Sequence, residues 1–166
     1  MNTLTQLHTD IDTRVQTIID DNTDWLCHKG CDTCCKRLAE IPKLTAKEWA
    51  LLQEGLSALP KQQLLDISQA MTELAQQSTR PLTCPMLDQS LGACRVYAHR
   101  PVACRSYGFY VQRDKGLYCQ EIEARVAEGE WATVVWGNHD VIDRQLNALG
   151  DSRDLTEWFA LWHELF

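Results

Sequence analysis

The residues of this sequence best able to do chemistry are its eight cysteines, which fall into two groups. The first group lies in the stretch CHKGCDTCC and comprises Cys27, Cys31, Cys34 and Cys35. The second group is more widely spaced and comprises Cys84, Cys94, Cys104 and Cys119. Clustered thiolates hold zinc ions or iron–sulfur clusters, whereas a reactive nucleophile needs only one thiolate. The number of cysteines therefore favours metal binding.

The cellular compartment decides between metal ligands and disulfides. An even number of cysteines leaves a disulfide framework formally open. The first residues, MNTLTQLHTDIDTRV, lack the basic and apolar regions of a secretory signal, and no apolar run approaches the roughly 18 residues of a membrane span. We therefore expect a cytoplasmic protein whose cysteines stay reduced. The net charge of -7 argues against nucleic acid and anionic membranes as partners.

The first group has the spacing C-x3-C-x2-C, which suits three corners of an iron–sulfur cluster. Gly30 allows the chain to turn tightly between the first two cysteines, and backbone N–H groups in such turns point at the sulfurs. Zinc is the competing metal, because two or three of these thiolates plus others from elsewhere make a tetrahedral site. His28 and His99 could complete a zinc site with three cysteines.

Cys34 and Cys35 are adjacent, and adjacent side chains of an extended chain point to opposite sides. Both can serve one metal centre only if the backbone kinks; otherwise they serve two centres, or one is a buried thiol. All four cysteines are candidate ligands, and we expect Cys34 before Cys35 as the partner of Cys27 and Cys31, with the Cys35 side chain pointing away from that of Cys34. The same spacing occurs in radical S-adenosylmethionine enzymes, but Thr33 stands where those enzymes usually carry an aromatic residue. Their barrel also needs about 200 residues of repeated βα units, which this chain does not show. S-adenosylmethionine remains a candidate cofactor through the spacing alone.

Basic residues accompany both groups of cysteines, and positive charge stabilises thiolates. The basic residues within a few positions of a cysteine are Lys29, Lys36, Arg37, Arg95, Arg100 and Arg105. They either support the thiolates or form a solvated face. Tyr97 either hydrogen-bonds a ligand sulfur or packs. The remaining histidines, His8, His139 and His163, are expected to be ordinary surface or helix residues.

The second group supplies the more specific pattern. Residues 84–105 read CPMLDQSLGACRVYAHRPVACR, and together with CHKGCDTCC this resembles the YkgJ-like cysteine-cluster family of zinc- or iron-chelating proteins. Beyond the first four cysteines, the matching positions are Cys84, Pro85, Leu87, Gly92, Cys94, Tyr97, Arg100, Pro101, Cys104 and Arg105. Cys119 is similar to a downstream cysteine of many members. The resemblance covers residues 27–120 and implies metal binding. Flagellin lysine methylases look like distant relatives, which implies an iron–sulfur cluster and S-adenosylmethionine in that branch.

Amphipathic helices surround the cysteines. Apolar residues spaced by three and four predict a first helix that is capped by Thr3 with Gln6 and ends near residues 21–22. A capping box at Thr45–Glu48 begins a second helix, and Pro60 stops it and begins a third helix up to about residue 74. We expect these two helices to form an antiparallel pair that returns the chain close to where it left. Two more helices are predicted at residues 140–149 and after Asp154.

Residues 84–119 lack a helical pattern, so the cysteines are predicted on irregular loops. A short hairpin is predicted from residues 109–111 and 116–118 around a turn at 113–115. The sequence as a whole predicts one small, mainly α-helical domain over residues 1–166, with cysteine-rich loops around a metal centre. Within that centre, at least one of Cys84, Cys94 and Cys104 should join Cys27, Cys31 and Cys34.

The predicted function is binding of an iron–sulfur cluster, with a redox or transfer role. The alternative is a structural zinc-binding or metal-handling protein without catalysis. The pattern alone does not distinguish an enzyme from a binding protein, and it names no substrate.

Overall fold

The computed structural model describes residues 3–112 and 119–163. Its helices are α1 (Leu4–Asp21), α2 (Thr33–Lys36), α3 (Ala46–Ser57), α4 (Lys61–Gln76), α5 (Val102–Ser106), α6 (Gln120–Ala127), α7 (His139–Asn147) and α8 (Leu155–His163). Its strands are β1 (Lys43–Thr45), β2 (Leu87–Asp88), β3 (Ala93–Cys94), β4 (Tyr110–Val111), β5 (Gly137–Asn138) and β6 (Ser152–Asp154). The described residues are 54% helical and their strands form only two-stranded pairs, which confirms the predicted mainly α-helical class.

The chain divides into two compact units. The first unit comprises Met1–His28 and Val102–Gly150. The second unit comprises Lys29–Pro101 and Asp151–Phe166. Each unit has its own cluster of buried apolar side chains. Every helix in the part of the chain that the structure describes is too short or too polar to span a lipid bilayer.

The first unit is built around α1, which packs against α5 and α7. Thr3 accepts a hydrogen bond from the Gln6 backbone N–H at 3.1 Å, and the helix ends at Asp21, so the predicted start and end are confirmed. The buried residues of α1 recur at helical spacing because one face of the helix covers the core. Helix α7 confirms the helix predicted at residues 140–149, with its ends shifted by one or two residues.

Strands β4 and β5 pair in parallel within the first unit. A Cβ atom at Gly137 would lie 2.2 Å from the Tyr110 ring, so only glycine allows this close approach. The predicted hairpin at residues 109–118 placed Tyr110–Val111 in its first strand. The structure pairs these residues with Gly137–Asn138, while the predicted turn and second strand at residues 113–118 lie outside the described residues.

The second unit contains α3, α4 and α8 around a shared core. The capping box at the start of α3 is confirmed, because Thr45 and Glu48 exchange side-chain-to-backbone hydrogen bonds at 2.9 and 3.3 Å. Pro60 precedes α4 as its cap instead of being its first residue, since its ψ of 143° is not helical. Helix α8 packs against α4. Strand β1 pairs antiparallel with β6, which brings residues 43–45 beside residues 152–154.

Candidate metal centre

The two units divide the eight cysteines between them. The second unit holds Cys31, Cys34, Cys35, Cys84 and Cys94, and the first unit holds Cys27, Cys104 and Cys119. All eight lie within the described residues, and no disulfide bond joins any of them in the structure. The four cysteines of the second unit that interact with one another, Cys34, Cys35, Cys84 and Cys94, are called the thiol cluster below.

Cys34 and Cys35 lie on the single helical turn α2, not on an irregular loop. A hydrogen bond between their side chains is the main reason that the pKa of Cys34 falls from its ordinary value of 9.0 to about 7. The expectation that Cys35 points away from Cys34 was therefore wrong. The reason is that successive side chains on a helix are about 100° apart, whereas in an extended chain they are opposed.

A short backbone ladder brings Cys84 beside Cys35. Leu38 and Leu82 exchange two hydrogen bonds, at 2.9 and 2.8 Å. Two residues further on, the Cys84 N–H donates to the Cys35 carbonyl oxygen at 2.7 Å. The chain thus returns after α3 and α4 to the place where it left, as predicted from two helices joined tightly at Pro60.

Strands β2 and β3 bring Cys94 close to the segment that carries Cys84. Leu87 pairs with Cys94, and the Leu87 N–H donates to the Cys84 carbonyl oxygen at 3.1 Å. The hairpin turn holds Gly92 at a φ of 63°, where a side chain is strained. A Cβ atom there would lie 3.4 Å from Asp32 Oδ2, which shows that the loop before α2 lies directly against this turn.

Backbone N–H groups point at three of the sulfurs, and at Cys34 the N–H groups of Cys34 and Cys35 help to lower its pKa. Burial raises the pKa of Cys84 to about 12, while hydrogen bonds from the N–H groups of Met86 and Leu87 to its sulfur oppose this rise. Burial likewise raises the pKa of Cys94, opposed by the Val96 N–H. Such N–H donors stabilise the thiolate, which is the form that binds metal.

The sulfurs of the thiol cluster also lie within electrostatic reach of one another. The charges of Cys94 and Cys34 each raise the pKa of Cys84, after the larger effect of burial. Cys34 similarly raises the pKa of Cys94, again after burial. Cys34 thus lies within electrostatic reach of Cys84 and Cys94, whereas a single metal centre that joins the two groups of cysteines stays a prediction.

Arg100 is the cation that acts on this cluster. Its Nε donates to the Tyr97 carbonyl oxygen at 2.9 Å, and its Cζ lies 3.6 Å from the centre of the Tyr97 ring. Among smaller effects, its charge lowers the pKa of both Cys34 and Cys94. Tyr97 thus serves as a stacking platform, and Lys29 Nζ lies 5.3 Å from the same ring centre.

Other candidate residues have different surroundings. Lys36 pairs with Asp32 at 2.5 Å, and Arg105 pairs with Asp12 at 2.9 Å. The His99 ring packs against α3, because a Cβ atom at Gly55 would lie 2.7 Å from its Nδ1. His28 is the residue at which the segment Met1–His28 of the first unit ends.

The remaining four cysteines are described by their own neighbours in each unit. Cys31 Sγ is 3.8 Å from Thr33 Oγ1 in the second unit. In the first unit, Cys27 Sγ donates to the Tyr107 carbonyl oxygen at 3.5 Å, and Cys119 is buried at the start of α6. Cys104 lies on α5, so this cysteine too is on a short helix where an irregular loop was expected. A shared centre of Cys27 with Cys31 and Cys34 stays a prediction.

The donor set of the thiol cluster has the chemistry that soft metals prefer: four thiols, five backbone N–H donors and one guanidinium. As the side chains are placed within residues 3–112 and 119–163, no three His, Cys, Asp or Glu side chains are arranged to hold a metal ion, so the four sulfurs of the thiol cluster would have to move closer together to bind one. The sequence analysis expected N–H donors in the turn of the first group of cysteines, but not at Cys84 and Cys94. The proline after Cys84 was a usable signal, since it marks a turn whose later N–H groups can face the sulfur.

The fold and the thiol cluster together define a mainly helical, cysteine-rich domain of the metal-binding class. The chain belongs to the CxxCxxCC family, described as "Putative zinc- or iron-chelating domain", whose profile matches residues 26–131. This match confirms the resemblance seen in the sequence over residues 27–120. No curated protein matches the chain, and no solved structure does.

Proposed function

We propose that the thiol cluster binds an iron–sulfur cluster through Cys34, Cys35, Cys84 and Cys94, and that the protein has a redox or transfer role. The observation that carries this proposal is the set of N–H groups aimed at the sulfurs of Cys84 and Cys94. Hydrogen bonds to cysteine sulfurs and burial are the means by which proteins tune iron–sulfur clusters. When bound, the group supplies one-electron chemistry, and the chain holds it and sets its potential.

Arg100 supports the same proposal as a positioning residue. Thiolates and cluster together carry negative charge, and a nearby guanidinium offsets it. Tyr97 restrains Arg100 by stacking and by its carbonyl oxygen, so the charge is held in place before any metal arrives. Cys27, Cys31, Cys104 and Cys119 remain proposed ligands, either of the same centre or of another.

The second candidate is a structural zinc site or a metal-handling site without catalysis. The hydrogen bond between the Cys34 and Cys35 side chains favours it, because this contact puts two sulfurs within reach of one ion. Four thiolates satisfy the tetrahedral preference of zinc.

Anaerobic purification with analysis of iron, acid-labile sulfide and zinc distinguishes the two. We expect a brown protein with iron and sulfide in equal amounts, and loss of both in Cys34→Ser, Cys84→Ser and Cys94→Ser. A colourless protein with stoichiometric zinc would establish the second candidate. Full metal content in all three folded variants would refute a site at the thiol cluster.

Arg100→Met tests the electrostatic role and has a matched control in Arg80→Met. Arg80 is an exposed arginine of the same unit that binds the Ala39 carbonyl oxygen and Glu40. Removing the Arg100 charge should lower the reduction potential of a bound cluster by tens of millivolts, roughly, because the reduced form is the more negative one. The Arg80 variant should keep the parent potential, and equal potentials in both variants would exclude the role given to Arg100.

A further inference from the structure

Residues 128–136 connect α6 to β5 in the first unit and are called the strap below. None of these residues is buried, and Val135 is 68% exposed. In the described part of the chain, the strap backbone makes hydrogen bonds outside itself only to the end of α6 and to Arg14, whose Nη1 donates to the Val135 carbonyl oxygen at 3.3 Å. Few buried contacts and few backbone hydrogen bonds are typical of a segment that opens more easily than the rest of its domain.

An ionic clasp formed by Asp24, Arg125 and Glu130 holds Trp131 of the strap. Arg125 Cζ lies 4.4 Å from the centre of the Trp131 ring, and Trp131 Nε1 donates to Asp24 Oδ1 at 3.2 Å. Arg125 also pairs with Asp24 at 2.9 Å and with Glu130. The three charged side chains are 29–59% exposed, so each ion pair is weak and is screened by salt.

The closed strap contains a strained residue. Trp131 has a φ of 55°, which places a bulky side chain in the left-handed region that favours glycine. Such a conformation persists only where surrounding contacts impose it, and opening of the strap lets Trp131 relax. Gly129, at the start of the strap, has a φ of 91° and open space around it, so this residue is free to act as a hinge.

The closed strap also covers an N–H group that has no acceptor. Trp25 is 7% exposed, and its Nε1 makes no hydrogen bond to any described residue. The Trp25 ring lies 4.5 Å from that of Trp131 and 5.4 Å from that of Trp136, and both of these belong to the strap. A buried donor without a partner is costly, and water satisfies the Trp25 donor once these two rings move away.

We propose that the strap is a lid closed by the ionic clasp, and that it opens as a local unit that gives water access to Trp25 while the rest of the first unit stays folded. The strain at Trp131 and the unpaired Trp25 N–H favour the open form, whereas the aromatic contacts and the clasp favour the closed form. Because these effects oppose one another, a change in the clasp shifts the population of the open form.

Hydrogen exchange of the Trp25 indole N–H in the full-length ¹⁵N-labelled protein tests this proposal. The reference is the backbone amide of Ile11, a buried residue in the middle of α1. After correction for intrinsic rates, the indole should exchange at least about a hundredfold faster than Ile11, with a rate that low urea concentrations hardly change. Equal protection and equal urea dependence of the two groups would show that Trp25 exchanges only on global unfolding, and would overturn the proposal.

Two pairs of variants assign the opening to the strap. Arg125→Met removes the cation of the clasp and should speed exchange of the Trp25 indole about tenfold. Arg144→Met, which changes an exposed arginine on α7, should leave it unchanged, and equal rates in these two variants would refute the clasp. Trp131→Ala and Trp131→Gly both remove the ring, but only alanine keeps the strain, so exchange should be about threefold faster in Trp131→Ala. A rate in Trp131→Gly that equals or exceeds it would refute the strain.

Salt provides a measurement that needs no fold-sensitive substitution at Trp131. About 0.5 M KCl screens the exposed ion pairs of the clasp and should speed exchange of the Trp25 indole about twofold relative to the Ile11 amide. The same salt should have no such effect in Arg125→Met, which lacks the clasp. Absence of a salt effect in the parent protein, or an equal effect in Arg125→Met, would show that the strap is not held by these charges.

Discussion

Metal binding by the thiol cluster should release protons, and their number follows from how many of its thiols are protonated in the metal-free protein. A cysteine binds metal as the thiolate, so every thiol that is protonated in the metal-free protein must lose its proton. Burial keeps the pKa of Cys84 at about 12 and raises that of Cys94, so both are protonated at neutral pH. The hydrogen bond with Cys35 brings the pKa of Cys34 to about 7, so this thiol is half ionised there.

These three sulfurs together should release about 2.5 protons at pH 7, one each from Cys84 and Cys94 and half of one from Cys34. The number should rise to about 3 at pH 6 and fall to about 2 at pH 8, as Cys34 passes through its pKa. The slope of the logarithm of the apparent metal affinity against pH equals the number of protons released. Near pH 7 the affinity should therefore increase about 300-fold for each pH unit. A contribution from Cys35 would add to these values.

The assay is titration of the metal-free protein with Co²⁺ between pH 6 and pH 8, with the affinity read from thiolate absorption and the protons from an indicator in weak buffer. In Cys34→Ser, which lacks the titrating thiol, the slope should become constant over this range, whatever the loss of affinity. Release of less than one proton per metal ion, or an affinity that does not change with pH, would refute binding by these buried thiols.

Two further predictions concern stability. Gly55→Ala would ordinarily stabilise a helix interior by about 1 kcal/mol, but the new Cβ atom would lie 2.7 Å from His99 Nδ1, and overpacking costs about 1–3 kcal/mol. Urea unfolding of Gly55→Ala should therefore show a net loss of stability, and this loss should disappear when His99 is also replaced by Ala. Equal effects of Gly55→Ala with and without His99→Ala would contradict this. His8 is 8% exposed, and burial lowers its pKa from 6.5 to about 4, so only the unfolded chain takes up this proton between those values. Unfolding free energy should fall by at most about 3 kcal/mol as pH drops from 6.5 to 4, and His8→Leu should remove this part of the acid sensitivity; an unchanged pH profile would show that His8 is not its source.

Local signals predicted the helices well. The caps at Thr3 and Thr45 are confirmed, because a capping interaction spans only three residues and needs no partner elsewhere in the chain. The apolar faces of α1 and α3 were predictable for a similar reason, since a few turns of sequence are enough to show helical periodicity. Helices α2, α5 and α6 were not predicted; in the first two, four or five residues carry no measurable period.

Long-range pairings were not predictable in the same way. Strand β1 pairs with β6 more than 100 residues later, and β4 pairs with β5 where a local hairpin was expected. Residue types at those positions are ordinary, so nothing local marks the partner. His8 was expected to be an ordinary helix residue, and only the packing of α1 in the first unit shows that its ring is buried.

For the candidate site, the sequence by itself determined the donors and the family: eight cysteines, their spacing and the motif that runs from CHKGCDTCC to the last arginine of the second group. Only the tertiary structure decided which sulfurs meet. It brought Cys84 and Cys94 near Cys34 and Cys35, aimed N–H groups at three of the sulfurs and stacked Arg100 on Tyr97. The physical reason is that thiol chemistry belongs to a residue type and is visible in one dimension, whereas burial, hydrogen bonding and charge at a sulfur depend on backbone segments that are distant in sequence and adjacent only after folding.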